Sequence, residues 1–180
     1  MRTLMLLAVG FVMCIFPTAS FAQQSASAAP PKPPAEMDQL KPIFAGTSEC
    51  KGKDFASQFG PEHATRLTFT GSLELDGFWY VVQGAEKKTE ANPTPGKFRA
   101  AFGYDPAAKK FVTIGIDNVG GRWMGTADTV SADKAVFTNT YTFNGTDLSV
   151  RDTYMPTGHV GEIQSGGEWK KADEESCTKK

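Results

Sequence analysis

The chain has 180 residues, 19 basic and 20 acidic side chains for a formal net charge of −1, and is 40% hydrophobic and 11% aromatic. A near-neutral chain without a basic stripe excludes broad phosphate neutralisation, so nucleic acid is not expected as a partner. The length suits one domain with a sizeable core, and no segment after residue 22 is apolar enough to span a bilayer.

Met1-Arg2, an apolar run over residues 4–16 and the small-residue end Ala19-Ser20-Phe21-Ala22 predict a secretory signal peptide over 1–22. That run is about a dozen residues, where a span needs roughly 20. Cys14 follows the bulky Met13, unlike a lipoprotein cleavage site, and is expected to leave with the signal. Cleavage removes Arg2 alone among charged residues and leaves a net charge of about −2. The expected location is exported, periplasmic or secreted. Cys50 and Cys177 are then the two remaining cysteines in an oxidising compartment, which predicts a disulfide over the alternative of two free thiols. Closing so long a loop contributes on the order of 4 to 5 kcal/mol in the chain-entropy model.

Residues 23–35 are rich in Ala, Ser and Pro and read as a flexible linker, followed by one domain over 36–180. Met37, Leu40 and Phe44 recur at helical spacing, with Pro42 near the end, and predict a short N-terminal helix that acts as a lid or plug. A first strand over 46–53 places Cys50 on its inner face. In 65–75, Leu67, Phe69, Gly71, Leu73 and Leu75 face one way; Asp76-Gly77 turns the chain into 78–83, apolar on both faces. A polar loop over 86–96 leads to the central meander. There Phe98, Ala100, Phe102 and Tyr104 share one face, Asp105-Pro106 starts a turn, and Val112, Ile114 and Ile116 alternate against Thr113, Gly115 and Asp117. Residues 118–121 reverse the chain into Arg122-Trp123-Met124. Strands over 135–143 and 146–155 flank Asn144-Gly145, a type I′ signal that also accounts for the apparent glycosylation sequon ending at Thr146. Phe137, Tyr141 and Phe143 share one parity, as do Leu148, Val150, Asp152 and Tyr154. A last run covers 159–169. About nine strands joined by tight turns predict an all-β fold, an antiparallel up-and-down barrel of about 8–10 strands, with a flat sandwich as the alternative. Gly71, Gly103, Gly115 and Gly125 inside strand patterns agree with strong curvature.

Gly46-Thr47-Ser48-Glu49-Cys50, Leu75-Asp76-Gly77-Phe78-Trp79, Gly103-Tyr104-Asp105, Asp117-Asn118, Arg151-Asp152-Thr153, Trp169 and Cys177 together resemble a family of exported bacterial proteins of unknown function with a lipocalin-like, calycin-type β-barrel. The resemblance covers residues 40–177 and implies a fold, without an established reaction. Lipocalins and fatty-acid-binding proteins typically begin with Gly-x-Trp, whereas Gly46 here is followed by Thr47 and Ser48.

If the barrel holds a cavity, Trp79, Tyr104, Trp123 and Tyr154 are the rings expected to line it, with Asp117, Arg122 and Arg151 orienting a ligand. The competing reading is core filling for the rings and outward or rim ion pairs for the charges. His63 follows Gly60-Pro61 and is expected in a solvent-exposed loop. The placement of His159 after a turn is similar to that of the haem-binding histidine of nitrobindin-like barrels, which implies haem iron as a ligand for its imidazole. No motif accompanies it, so no cofactor and no metal site is predicted. There is no nucleophile elbow, zinc-protease helix or phosphate loop. The leading expectation is a non-enzymatic exported barrel that binds a small apolar or amphipathic molecule in its interior. The alternatives are an enzyme using Asp117, Arg122, Arg151 or Asp152, and an envelope structural or interaction protein.

Overall fold

Alternation of inward and outward side chains runs through ten antiparallel strands: β1 (Gly46–Asp54), β2 (His63–Glu74), β3 (Trp79–Glu86), β4 (Lys97–Asp105), β5 (Lys110–Asp117), β6 (Arg122–Ala127), β7 (Ala135–Phe143), β8 (Thr146–Met155), β9 (Gly158–Ser165) and β10 (Glu168–Lys179). Each pairs with its sequence neighbour, and β10 returns to β1 to close the barrel. The computed structural model describes residues 30–127 and 130–180. The expected signal peptide, Cys14 and most of the expected linker lie outside the described residues.

A 3₁₀ turn (Ala35–Leu40) runs into a single α turn, α1 (Lys41–Phe44), where Pro42 falls in the first turn and its missing N–H costs no helical bond. Met37, Leu40, Ile43 and Phe44 are all buried, so this segment is a plug. Phe44 stacks on Phe102 of β4 at 4.1 Å between ring centroids and meets Tyr154 of β8 edge-on at 5.3 Å. Gly71 of β2 makes the fit possible. A Cβ there would sit 2.0 Å from the Phe44 carbonyl oxygen, so the plug backbone rests where any other residue would have a side chain. Tyr80, Val82, Ala100, Phe102, Phe111, Ala127, Ala135 and Phe137 complete the core around it.

The seam between β1 and β10 aligns Cys50 directly with Cys177, and the two form a disulfide. In this pairing Ser48, Cys50, Gly52 and Asp54 face inward, opposite Lys179, Cys177, Glu175 and Asp173.

Three strand segments depart from the sequence reading. The last run is two strands rather than one, because Gly166 and Gly167 both take positive φ and turn the chain between β9 and β10. On β5 the apolar Ile114 and Ile116 point outward, 46% and 59% exposed, while Thr113 and Gly115 face the interior. The cause is Trp123 of β6, whose ring lies against Gly115 so closely that a Cβ there would be 2.0 Å from it. On β2, Leu67 and Phe69 face inward, but Leu73 is exposed, as is Leu75 in the turn that follows the strand.

Phe44→Ala should lower unfolding free energy by about 3–5 kcal/mol, the range for a buried large aromatic, read from urea denaturation. Replacing Cys50 and Cys177 together by Ser should cost up to about 5 kcal/mol in the same assay. An unchanged midpoint in the double variant would mean that the seam holds without its covalent link.

Candidate functional site

Beyond the plug, the barrel interior divides into two walls. On one, Phe98 of β4 and Trp123 of β6 meet edge-on at 6.2 Å, and Tyr141 of β7 lies 6.5 Å from Trp123. The Tyr141 hydroxyl donates to Asp117 Oδ2 at 2.7 Å, while Asp117 Oδ1 accepts from the backbone N–H groups of Val119 and Gly121. Burial first, and then the Asp117 carboxylate, raise the Tyr141 phenol above its ordinary value and keep it the donor. These rings face inward yet stay half-buried, as do Leu67 and Phe69 of β2, so solvent reaches this part of the inner surface.

The other wall is acidic. His159 of β9 contacts Asp173 Oδ1 through Nδ1 at 2.9 Å, Glu175 Oε2 through Nδ1 at 3.1 Å and Asp152 Oδ1 through Nε2 at 3.2 Å. Asn139 of β7 donates its amide to the other oxygen of Asp152. Burial works against the imidazolium, but Asp173, Asp152 and Glu175 outweigh it and hold the His159 pKa well above the ordinary imidazole value. Both ring nitrogens thus lie within hydrogen-bond distance of carboxylates, the arrangement that favours the imidazolium. Burial raises Glu175, whereas the His159 charge overcomes burial at Asp173 and lowers it. Tyr154 stacks on His159 at 4.7 Å and touches Phe44, Phe102 and Phe137, so it joins the plug to the charged wall.

Asp54 continues this wall, opposite Asp173 on β10 and His63 on β2. Its Oδ2 lies 3.4 Å from His63 Nε2, and the ligand atoms of Asp54, His63 and Glu86 fall within 4.8 Å of one another. Burial, with Glu86 and Asp173 as like charges, pushes the Asp54 carboxyl up to about 7. Glu86 Oε2 accepts from Asn92 Nδ2 at 2.8 Å and from the Gly96 N–H at 2.6 Å, which folds the loop over residues 87–96 back onto the rim.

Of the candidates from sequence, Tyr104, Trp123 and Tyr154 face inward, Tyr104 at the plug end with its ring 5.0 Å from Phe111. Trp79 lies on the outer wall over Gly103, and Arg122 is exposed on the outer face of β6. Arg151 also points outward, doubly bonded to Glu162 at 2.7 and 2.8 Å with Trp169 under its guanidinium at 4.6 Å. Asp117 and Asp152 thus have inward parity and Arg122 and Arg151 outward parity. His63 is not in a solvent loop: it opens β2 with its side chain 18% exposed. The sequence reading missed Asp54, Glu86, Asn139, Asp173 and Glu175. For Asp173 and Glu175 a signal existed, since both share the parity of Cys177, itself expected to pair with an inward cysteine.

No family model matches the sequence, and no curated protein does. Among solved structures, the crystal structure of Rv2717c from M. tuberculosis is similar, with a TM-score of 0.62 at 6% identity, covering 83% of this chain and 99% of that one. At that identity the likeness shows a shared fold alone.

The stability that His159 gains from its carboxylates is complete below the ordinary imidazole value near 6.5 and is lost as pH rises through the raised folded value. Nitrogen NMR should therefore find both ring nitrogens of His159 protonated at pH 7.5, with the denaturant midpoint declining at more alkaline pH. A neutral ring at pH 7.5 would refute the charge assignment.

Proposed function

We propose that this is an exported barrel that binds a small amphipathic molecule in its interior. The observation that carries the reading is the half-buried state of inward side chains on both walls, Phe98, Trp123 and Tyr141 on one and Tyr154 and His159 on the other. A rigid aromatic surface opposite a few converging polar groups is the arrangement that small-molecule sites share. The apolar part of the ligand lies along the rings, and its head meets the carboxylates of Asp152, Asp173 and Glu175. That wall selects a cationic or hydrogen-bond-donating head, because a carboxylate head would face like charges. Export agrees with the Cys50–Cys177 disulfide, and among the described residues no helix is long and apolar enough to cross a membrane.

A second reading, contact of the outer wall with another surface, is favoured by Ile114, Ile116 and Met124, which lie exposed on β5 and β6.

A protein with Trp79→Phe and Trp169→Phe keeps Trp123 as its single, inward tryptophan. Titration with dodecylamine should change its fluorescence saturably at one equivalent, with dodecanoate at least about tenfold weaker, or about 1.4 kcal/mol. If neither amphiphile perturbs Trp123 while the protein remains folded, the interior is not a ligand site.

A further inference from the structure

The corner of the barrel formed by Asp54, His63 and Glu86 has the parts of a metal centre. His63 Nδ1 lies 3.1 Å from the Pro61 carbonyl oxygen, which can only accept, so Nδ1 donates there and in that tautomer Nε2 carries the lone pair. That Nε2 is shielded from solvent without a hydrogen-bond partner, and at 3.4 Å the Asp54 carboxylate lies beyond a good bond. Glu86 is aimed by Asn92 and the Gly96 backbone, so both flanking ligands are oriented from behind, as metal ligands characteristically are.

Thr65 is the independent observation. It is 3% exposed, and its hydroxyl has no hydrogen-bond partner. It shares the inward face of β2 with His63 and Leu67; Gly52, opposite it, precedes Asp54 on the inner face of β1, and Glu86 stands opposite Leu67. The orphaned hydroxyl therefore shares the inward face with the triad, two residues along β2 from His63, and a buried hydroxyl left without a partner is unfavourable unless it finds a ligand. A direct Asp54–Asp173 pairing adds a cross-strand repulsion that a cation would cancel.

We infer that Asp54, His63 and Glu86 bind one first-row divalent metal ion, with Thr65 facing the coordination sphere. One imidazole and two carboxylates suit Zn²⁺, Mn²⁺ or Fe²⁺ better than Ca²⁺, which prefers an all-oxygen shell. The site does not depend on the amphiphile reading, because it uses neither the aromatic wall nor His159.

The test is calorimetric titration of the full chain, prepared without a histidine tag and stripped with chelator, using Zn²⁺ alone. One equivalent should bind, with a rise in unfolding temperature. His63→Gln and Glu86→Gln should each weaken binding by about a hundredfold or more and Asn92→Ala by about tenfold, while the outer-wall Arg122→Ala leaves it within a few-fold. Circular dichroism checks the fold, and if one of the two ligand variants does not fold the other decides. Absence of binding at millimolar Zn²⁺, or binding that survives the ligand substitutions, would overturn the inference. So would loss on His159→Gln alone, which would place the ion at the neighbouring cluster. Failure of dodecylamine to bind leaves these outcomes unaffected.

Discussion

The pairing of β1 with β10 is the constraint on which the interior depends. It joins the two ends of the folded chain, so it brings together residues that no local contact could, and it fixes their faces two at a time. Once Cys50 stands opposite Cys177, Gly52 must stand opposite Glu175 and Asp54 opposite Asp173. A slip of one residue would turn Asp173 and Glu175 to solvent and put Glu174 and Ser176 inside. The disulfide thus holds more than chain ends: it locks the register that makes the inner wall acidic.

That wall is costly to form, and its arrangement explains how the fold tolerates it. Buried carboxylates need cations or hydrogen-bond donors. Among the described inward side chains the positive charge comes from His159, placed so that both its nitrogens are used, and Asn139 supplies a further donor to Asp152. Tyr154 lies flat on the imidazolium, where the face of the ring is the negative part of its quadrupole. The basic side chains on neighbouring positions, Lys51, Lys53 and Arg151, have outward parity and do not reach this cluster. The interior is therefore acidic by geometry although the chain as a whole is nearly neutral.

Much of the barrel was legible because period-two alternation and turn chemistry are local. Asn144-Gly145 reads as a turn and forms one, and Phe98 to Phe102 reads as an inner face and packs as one. The plug was legible from Met37, Leu40 and Phe44. The site was not, for a reason specific to barrels. Hydrophobicity identifies the inner face only where the interior is apolar; on β10 the inward residues are Asp173 and Glu175, so the pattern looks like a solvated tail. On β5 the relation inverts, since Thr113 and Gly115 make room for the Trp123 ring and the isoleucines are left outside. His63 looked exposed because it follows Gly60-Pro61, yet β2 begins at that residue and carries it inside.

The two halves of the interior make different demands on the chain, and this separates what packing explains from what it does not. At the plug end each inward ring has ring partners on neighbouring elements, and burial of apolar area accounts for those rings. At the far end, selection for stability alone would replace Asp54, Asp173 and Glu175 by apolar side chains, because removing an entire buried charge cluster is commonly neutral or stabilising. Keeping like charges face to face across a strand pair is reasonable only if something other than folding uses them. Thr65 adds an orphaned hydroxyl that valine would not leave, although Ser48 and Thr113 carry the same feature elsewhere in the interior. The inward charges that packing cannot explain gather on one stretch of wall, from Glu86 through His63 and Asp54 to Glu175 and His159, and that coincidence is the strongest reason to look for a ligand there.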